Sequence, residues 1–573
     1  MSFWIFIAAM LTVFLQAGFI MMEAGSTRSK NAGNTVMKNL MSLSIGLVAF
    51  SLVGFSFLST GDTLSGVLGI PSWGFFQGFS DTQWGSFVYQ AAICAVTVSI
   101  ISGGIAERIK FSMYCLFVVV FVALIYPVGS VWIWSDGGWL QQLGFVDYAG
   151  AAVVNMAGGI AALVGAAFLG PRVGKYEYQD GKVETINVIP GQSVLMDAVG
   201  CLIIWLGWYG FNGAKAGDGG ELGQIFVTTT LCAGFASASA MVCTWIKYEK
   251  PDVYMSLNGA LAGLVAIAAG CANVDPIGAI IIGIIAGPLV CFGIGFVDNV
   301  LHVDDPIGAV GVHGICGAYG ALAVGLFDRN QGLFYGGGLH LFGVQLLGII
   351  VLGVWVAVAV GVVLWILNRI WGLRVSREEE IEGLDRPEHG IVSSYGDFAP
   401  VIESSFMPTE VPLVEKVEPQ QDQKSEKKAS AAASAAPANM VMKPAPAIPS
   451  VDGVKYSKVT IVCNPSRFEA LKSEMSNIGV TGMTVTQVVG CGVQRGKTEF
   501  FRGVPVNINL LPKLQVDIVV STVPPATVVE AAKRALYTGK IGDGKIFLYD
   551  VENVIRVRTG EMGVDALTDP EEK

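Results

Sequence analysis

The sequence predicts an all-α polytopic membrane bundle of eleven transmembrane helices, followed by a small α+β domain in the cytosol. Three observations support this fold class. Charged residues make up only 14% of the 573 residues, and the mean hydropathy is +0.57, which is too apolar for a soluble enzyme of this length. Eleven apolar runs approach the roughly 20 residues that a membrane-spanning helix needs. Beyond residue 375 the composition becomes charged and then polar.

The eleven apolar runs are predicted to be packed helices, because small residues recur inside them and let helices approach closely. The eighth run is short and rich in Gly and Ala. The runs extend over 3–23, 39–59, 86–106, 112–134, 148–169, 194–213, 223–245, 255–271, 276–297, 308–327 and 340–367.

Basic residues indicate the orientation, because short loops rich in Lys and Arg stay in the cytoplasm. They cluster after the odd-numbered runs, at Arg28, Lys30, Lys38, Arg108, Lys110, Arg172, Lys175, Lys247, Lys250, Arg369, Arg374 and Arg377. The N-terminus is therefore predicted to lie outside and the C-terminus in the cytoplasm. The net charge of −10 argues against a nucleic-acid partner.

Two short segments of the chain echo each other: DYAGAAVVN, from Asp147 to Asn155, and DPIGAVGVH, from Asp305 to His313. Each begins with an Asp at a predicted helix start and ends in a polar side chain near the middle of the bilayer. They fall in the fifth and tenth runs, which are matching positions of an inverted 5+5 repeat. Such repeats place a substrate path at their interface.

The chain divides into four predicted regions. Residues 1–375 form the membrane domain, and 376–408 form its charged cytosolic C-terminal segment. Residues 409–452 are rich in Ala, Pro, Ser and Lys and predict a flexible linker. Residues 453–573 alternate short strands and helices in the order β-α-β-β-α-β, which is typical of a ferredoxin-like domain.

The membrane part resembles the ammonium transporter (Amt/Mep/Rh) family through the motifs GGIAERIKF, DYAGAAVVN, LGWYGFN, VDDPIGAVGVHGICG and EEEIEGLD. The resemblance implies a homotrimer in a bacterial inner membrane with one ammonium pore per subunit, and no enzymatic activity. The C-terminal domain is similar to the PII (GlnB/GlnK-like) signal-transduction family through TGMTVTQVVGCGVQRGKTEFFRG and TGKIGDGKIFLYDVENVIRVRTGE. That likeness implies a second trimer with nucleotide bound between subunits.

Several residues match the pore of the ammonium transporter family. The resemblance assigns Trp134 to an outer site where a cation sits against an indole face, Asp147 to a buried structural acid and Phe211 to a gate. It assigns His313 to one member of a histidine pair, and it includes Tyr89 among the residues of the same pore. Read alone, Trp134 also fits an interfacial anchor, and His313 also fits a hydrogen-bonded core histidine.

Three pore positions depart from the family. Ile93 replaces a gate aromatic, Asn155 replaces the partner of His313, and Lys215 replaces an outer serine. An amide does not titrate near neutral pH, so Asn155 cannot relay a proton; its other interpretation is a hydrogen bond between helices. If Lys215 points into the vestibule, two cations about 4 Å apart repel by about 4 kcal/mol. Otherwise its flexible stem points to water.

The C-terminal domain carries a Gly-rich turn followed by Lys, TGKIGDGK, a pattern in which backbone N–H groups and a cation can hold phosphate. Arg556 and Arg558, two residues apart, are expected to point the same way along a following strand. Together with the PII resemblance, this predicts ATP or ADP at Thr484, Gly490, Gly542, Gly544, Lys545, Arg556 and Arg558.

The PII resemblance also implies regulatory ligands and a mobile loop. Gln494 matches a ligand of Mg²⁺, which binds together with 2-oxoglutarate, and Lys513 matches a partner of that acid's carboxylate. Arg502 matches a loop arginine that plugs a transporter pore from below. Val506 replaces the usual tyrosine of that loop, so control by uridylylation is expected to be absent.

Two functions fit these observations. In the first, the protein is an ammonium sensor or transceptor with weak conduction, regulated by nucleotide and 2-oxoglutarate at its fused PII domain. In the second, it is an active transporter gated in cis by the PII loop. An enzyme is disfavoured, because no nucleophile–base pair or metal cluster stands out in the sequence.

Overall fold

The structure is a computed structural model, which describes residues 2–58, 63–72, 76–391, 455–464, 467–480, 482–491, 499–501, 504–506, 510–539 and 543–567. The described residues fall into two compact units, one helical and one α/β. The linker predicted at 409–452 lies outside the described residues.

The helical unit contains eleven long apolar helices joined by mostly short loops. Three of them include a π-helical stretch: Phe121–Ile125 in α4, Ala151–Met156 at the start of α5 and Val310–Ile315 at the start of α10. The helices are α1 Ser2–Ser26, α2 Ala32–Leu52, α3 Asp81–Gly104, α4 111–134, α5 151–169, α6 Val194–Gly213, α7 Gly219–Tyr248, α8 Val253–Ile267, α9 Pro276–Asn299, α10 310–327 and α11 His340–Ile370.

Among the described residues, ten helices are long and apolar enough to cross a membrane. The remaining long helix, α8, has 15 residues and spans about 22 Å at 1.5 Å per residue. Its residues from Asn258 to Ile267 are all buried within the bundle. The unit is therefore a polytopic membrane fold, while the count of eleven spans and the inverted repeat stay predictions.

Helix α2 begins earlier than predicted, and this corrects the role of Lys38. The predicted run started at residue 39, whereas α2 starts at Ala32 because Asp385, about 350 residues away, accepts hydrogen bonds from the Gly33 and Asn34 N–H groups. Lys38 is therefore not a loop residue that signals topology. It is fully buried, and its Nζ lies 2.8 Å from the Glu23 carboxylate on α1.

A network of buried charges joins four loops at one end of the bundle. The Glu107 carboxylate lies 3.0 Å from Arg28 and 2.9 Å from Arg172, and Arg172 lies 2.8 Å from Asp304. Burial alone raises the pKa of Glu107, but the two guanidinium groups outweigh it and lower that pKa to about 2. Asp304, which directly precedes Asp305, is thus an ion-pair partner of Arg172.

The segment after α11 folds back onto this same end of the helical unit. It contains two short helices, α12 Arg377–Glu382 and α13 Asp385–His389. The Glu380 carboxylate accepts a hydrogen bond from the Val173 N–H at 2.6 Å and pairs with Arg374 at 2.7 Å. The loops of the helical unit are therefore connected to its C-terminal segment through carboxylates.

Outside the helices, the helical unit carries two small antiparallel hairpins, β1 Thr63–Leu64 with β2 Leu68–Gly69 and β3 Tyr176–Gln179 with β4 Lys182–Ile186.

The α/β unit has the predicted order of elements. Its long strands are β5 Tyr456–Cys463, β6 Thr484–Cys491, β9 Leu510–Val520 and β10 Gly544–Val551, and its helices are α14 Phe468–Asn477 and α15 Pro525–Leu536. The strands form one antiparallel sheet in the order β10-β5-β9-β6, as a ferredoxin-like fold requires. Buried aliphatic residues such as Val459, Ile461 and Val528 form the core between sheet and helices. Two short strands, β7 Glu499–Phe501 and β8 Val504–Val506, lie between β6 and β9 in the chain.

Candidate ammonium site and nucleotide site

Helices α5 and α10 start in the same way. The Asp147 carboxylate accepts hydrogen bonds from four backbone N–H groups, those of residues 150–153, at 2.7–3.1 Å. Asp305 accepts from the Gly308 and Val310 N–H groups. Gly150 (φ 111°) and Gly308 (φ 81°) both adopt the left-handed conformation that glycine tolerates best. The two segments that resemble each other in sequence therefore also resemble each other in local structure.

The two polar residues that end the echo contact each other. Asn155 Oδ1 lies 2.9 Å from His313 Nδ1, and both side chains are buried. Asn155 Nδ2 donates to the Gly150 carbonyl at 3.0 Å, which orients the amide so that its oxygen faces the imidazole. In neutral His313 the proton therefore sits on Nδ1, and Nε2 carries the lone pair.

Backbone contact between α5 and α10 brings this pair together. A Cβ atom at Gly159 would lie 2.1 Å from the Gly314 backbone nitrogen, so any side chain there would separate the two helices. Gly314 directly follows His313. The glycines thus set the close crossing that places Asn155 and His313 within hydrogen-bond distance.

The predicted gate residues are both buried in the apolar core of the helical unit. Phe211 and Ile93 are 0% and 1% exposed, and the Phe211 ring stacks on Trp208 at a centroid distance of 4.6 Å. The Tyr89 hydroxyl donates to the Phe211 carbonyl at 2.8 Å, which ties α3 to α6 at this level. Tyr89 is therefore a structural partner of the gate segment, with its hydroxyl hydrogen occupied.

Lys215 lies on the indole face of Trp134. Its Nζ is 4.2 Å from the ring centroid and donates to the Tyr148 carbonyl at 2.9 Å. Trp134 Nε1 donates to the Asp147 carbonyl at 2.7 Å, which fixes the plane of the ring. Of the two predicted orientations, the structure shows the one in which the lysine head group covers the aromatic face.

Two residues beside this site were missed by the sequence analysis. Gln345, fully buried on α11, accepts from the Val146 N–H and donates to the Val146 carbonyl, both at 2.8 Å, next to Asp147. Glu221 accepts from the Tyr148 hydroxyl at 3.2 Å. A single amide inside the apolar run of α11 was the available signal for Gln345, because polar groups at membrane depth seldom lack a partner.

The predicted nucleotide residues of the α/β unit lie in two separate clefts. One, of about 680 Å³, is lined by Thr484 at the start of β6, and the other, of about 460 Å³, is lined by Gly544 and Lys545 at the start of β10. Strands β6 and β10 are the two edges of the sheet. One copy of the chain therefore does not bring both groups of residues together.

The other residues predicted to be functional in the PII-like region lie in a turn, on strands or outside the described residues. Arg556 and Arg558 do not lie on a strand, which corrects the prediction: the Gly560 N–H donates to the Arg556 carbonyl and closes a turn, and Arg556 pairs with Glu561 at 2.7 Å. Gly490 lies on β6, where it pairs with Leu511, and Lys513 lies on β9. Gln494, Arg502 and Gly542 lie outside the described residues.

Comparison with known proteins identifies the helical unit. The Ammonium Transporter Family model matches residues 3–393. The chain belongs to the ammonium transporter family. Ammonium transporter Amt2 of Archaeoglobus fulgidus is 38% identical over 438 residues, which covers 72% of this chain and 90% of that protein. The Nitrogen regulatory protein P-II model matches residues 456–561, so this member of the ammonium transporter family carries a fused C-terminal PII domain.

Solved structures agree with this assignment. A structure named Sensor Amt Protein is 33% identical, superposes with a TM-score of 0.64, and matches 68% of this chain and 98% of its own. Mep2 of Saccharomyces cerevisiae, at 24% identity and a TM-score of 0.60, supports the ammonium transporter fold alone.

Proposed function

We propose that this protein is an ammonium sensor or transceptor that conducts ammonium weakly and is regulated by nucleotide and 2-oxoglutarate at its PII domain. The contact between Asn155 and His313 is the observation that supports this most directly. An ammonium ion entering an apolar gate loses its hydration, and a bare charge at the bilayer centre costs at least about 2.5–3.5 kcal/mol. Conduction therefore requires the proton to travel separately from ammonia.

The Asn155–His313 pair has one titratable group where two imidazoles would provide a relay. Both polar ends of the amide are engaged, Nδ2 with the Gly150 carbonyl and Oδ1 with His313 Nδ1. His313 keeps Nε2 as an acceptor for a hydrogen bond from ammonia or ammonium. The site is thus suited to hold the substrate, but it lacks the second titratable group that onward transfer of the proton would use.

Ammonium-induced current in proteoliposomes containing the full chain tests this proposal. The current should be small or absent, and Asn155→His should raise it at least about tenfold because it restores a second titratable ring. Asn155→Leu is the matched control: it removes the amide without adding a titratable group and should leave the current at its low level. A full-sized current from the unmodified protein would end the sensor proposal.

The proposed assembly of the subunits is based on the resemblance to the family. We infer a homotrimer in a bacterial inner membrane, with the N-terminus outside and the PII domain in the cytoplasm. Thr484 and Gly544 lie at opposite edges of the sheet, which supports a nucleotide site that is shared between neighbouring PII domains. Mg²⁺, together with 2-oxoglutarate, is proposed to bind at Gln494, with Lys513 near the acid's carboxylate.

Calorimetry on the full-length protein tests the regulatory part of the proposal. ATP or ADP should release heat, and Lys545→Ala should weaken nucleotide affinity about tenfold, since a charge-assisted hydrogen bond to phosphate contributes roughly 1.5–3 kcal/mol. Lys472→Ala, a change at an exposed lysine of α14 that lines neither cleft, should have little effect. If neither nucleotide binds the unmodified chain, the PII domain serves another purpose.

A second candidate function is an active ammonium transporter that its own PII loop gates in cis. The burial of Phe211 and Ile93, both apolar, favours it, because apolar side chains along a pore exclude water and ions. A tethered loop would reach effective concentrations around millimolar. Under this alternative, Arg502→Ala should increase the current several-fold, whereas the sensor proposal expects the current to stay low.

A further inference from the structure

The outer mouth of the ammonium transporter domain contains a site built for a small cation, and a side chain already fills it. Lys215 Nζ meets the Trp134 ring at 4.2 Å and the Tyr148 carbonyl at 2.9 Å. Tyr148, whose carbonyl accepts this hydrogen bond, is itself held in place by two hydrogen bonds. The Tyr148 N–H donates to the Ala269 carbonyl at 3.0 Å, and the Tyr148 hydroxyl donates to Glu221 at 3.2 Å.

A lysine head group and a free ammonium ion make the same contacts. Each is a compact cation with several N–H donors, and each gains from an aromatic face on one side and a carbonyl oxygen on the other. Because the site has one indole face, a lysine head group and an ammonium ion cannot occupy it together. At this distance they would also repel each other.

The contacts that hold the exposed side chain of Lys215 are weaker than those that hold the buried lysines of this chain. Lys38 and Lys175 each lie 2.8 Å from a carboxylate, of Glu23 and Asp298 respectively. Among the residues that the structure describes, Lys215 has no carboxylate within salt-bridge distance. A flexible four-carbon stem with only a ring and one carbonyl as partners is readily displaced.

We propose that Lys215 is a built-in competitor of ammonium, which occupies the outer cation site until ammonium displaces it. The chain thereby sets the ammonium concentration at which the site responds. This deepens the proposed function, since it assumes that ammonium is drawn to the Trp134 face. It does not depend on whether ammonium then crosses the membrane.

Titration calorimetry of ammonium chloride into the full-length protein at pH 7 tests this. Lys215→Met, which keeps the bulk of the side chain and removes the charge, should tighten ammonium binding about tenfold, the range of one displaced cation–π contact. Lys247→Met is the matched control, because Lys247 also sits over aromatic rings, 5.1 Å from Tyr248 and 5.2 Å from Phe292, and belongs to α7 rather than to the site. Its ammonium affinity should equal that of the unmodified protein.

A double-mutant cycle with Trp134→Leu shows whether the two groups compete for the same face. In the Trp134→Leu background, removing the lysine charge should no longer tighten binding. If Lys215→Met proves unstable, Lys215→Gln is used instead, because its amide can still donate to the Tyr148 carbonyl without a charge.

Unchanged or weaker ammonium affinity in these variants would overturn the proposal, and so would an absence of binding in all of them. A full-sized current from the unmodified protein would overturn the sensor function while leaving a measured gain of affinity in Lys215→Met as support for competition. The two failures are therefore distinguishable.

Discussion

Helices α5 and α10 begin with the same construction and end the shared segment with different chemistry. Each has an Asp that accepts backbone N–H groups, a left-handed glycine three residues later, and a π-helical stretch that carries the polar residue. One residue is Asn155 and the other is His313, and they contact each other at 2.9 Å. The two helix starts thus present facing side chains, and of the two only the imidazole is titratable.

The largest expected effect breaks the crossing of the two helices. Gly159→Ala should destabilise the protein by about 3 kcal/mol, because a Cβ there would lie 2.1 Å from the Gly314 backbone, which cannot rotate away. Gly314→Ala is the control on the other helix: its Cβ would find its nearest neighbour at 3.4 Å, an ordinary contact. Thermal unfolding followed by size-exclusion chromatography should show a clear loss only for Gly159→Ala. Equal unfolding temperatures of the two variants would contradict the close crossing of α5 and α10 at Gly159.

The next effect concerns the helix starts. Asp147→Ala should cost about 2 kcal/mol or more, because it leaves four buried N–H groups without their acceptor. Asp218→Ala removes an exposed cap of α7, where water can replace the lost oxygen, and should cost about 1 kcal/mol or less. The same unfolding measurement compares them. A smaller loss for Asp147→Ala than for Asp218→Ala would mean that the buried cap is dispensable.

Much of this construction follows from local sequence. Apolar runs located the long helices, alternating strands located the α/β fold, and the two Asp-to-polar segments located the matching starts of α5 and α10, because each signal depends on neighbours within a few residues. The contact of Asn155 with His313 was expected from the family pairing. What the sequence lacked was the orientation of the amide, which depends on the Gly150 carbonyl and a π-helical turn.

Two of the residues that were misplaced or missed have partners far away in the chain. Lys38 looked like a loop cation, but its helix is capped by Asp385 and its charge is paired with Glu23. Gln345 exchanges two hydrogen bonds with Val146, about 200 residues earlier. No local pattern specifies these two long-range partners. Arg556 was misplaced for a local reason, because a hydrogen bond from Gly560, four residues later, closes a turn there.

A spectroscopic prediction sharpens the comparison of Asn155 with His313. The chain has only four histidines, so ¹⁵N-histidine labelling of the full-length protein gives a tractable set of ring signals. His313 should show the Nδ1–H tautomer, because Asn155 Oδ1 accepts that proton. Asn155→Ala should shift the population toward Nε2–H, and His313→Ala assigns the signal by its loss. A tautomer that does not respond to Asn155→Ala would show that the amide leaves the imidazole unaffected.

The smallest expected effect is the pH dependence of ammonium binding, and it separates the Lys215–Trp134 site from the Asn155–His313 pair. Although the Lys215 side chain as a whole is exposed, the protein around its head group lowers its pKa to about 8, because the loss of water there outweighs the opposing charge of Asp147. Lys215 is thus roughly nine-tenths charged at pH 7 and one-tenth charged at pH 9. A neutral amine no longer holds the Trp134 face as a cation, so affinity, referred to the free ammonium ion, should rise several-fold between these pH values. Lys215→Met should remove most of that rise in the same calorimetric titration, whereas Asn155→Leu should retain it; a rise that survives in Lys215→Met would place the titrating group elsewhere.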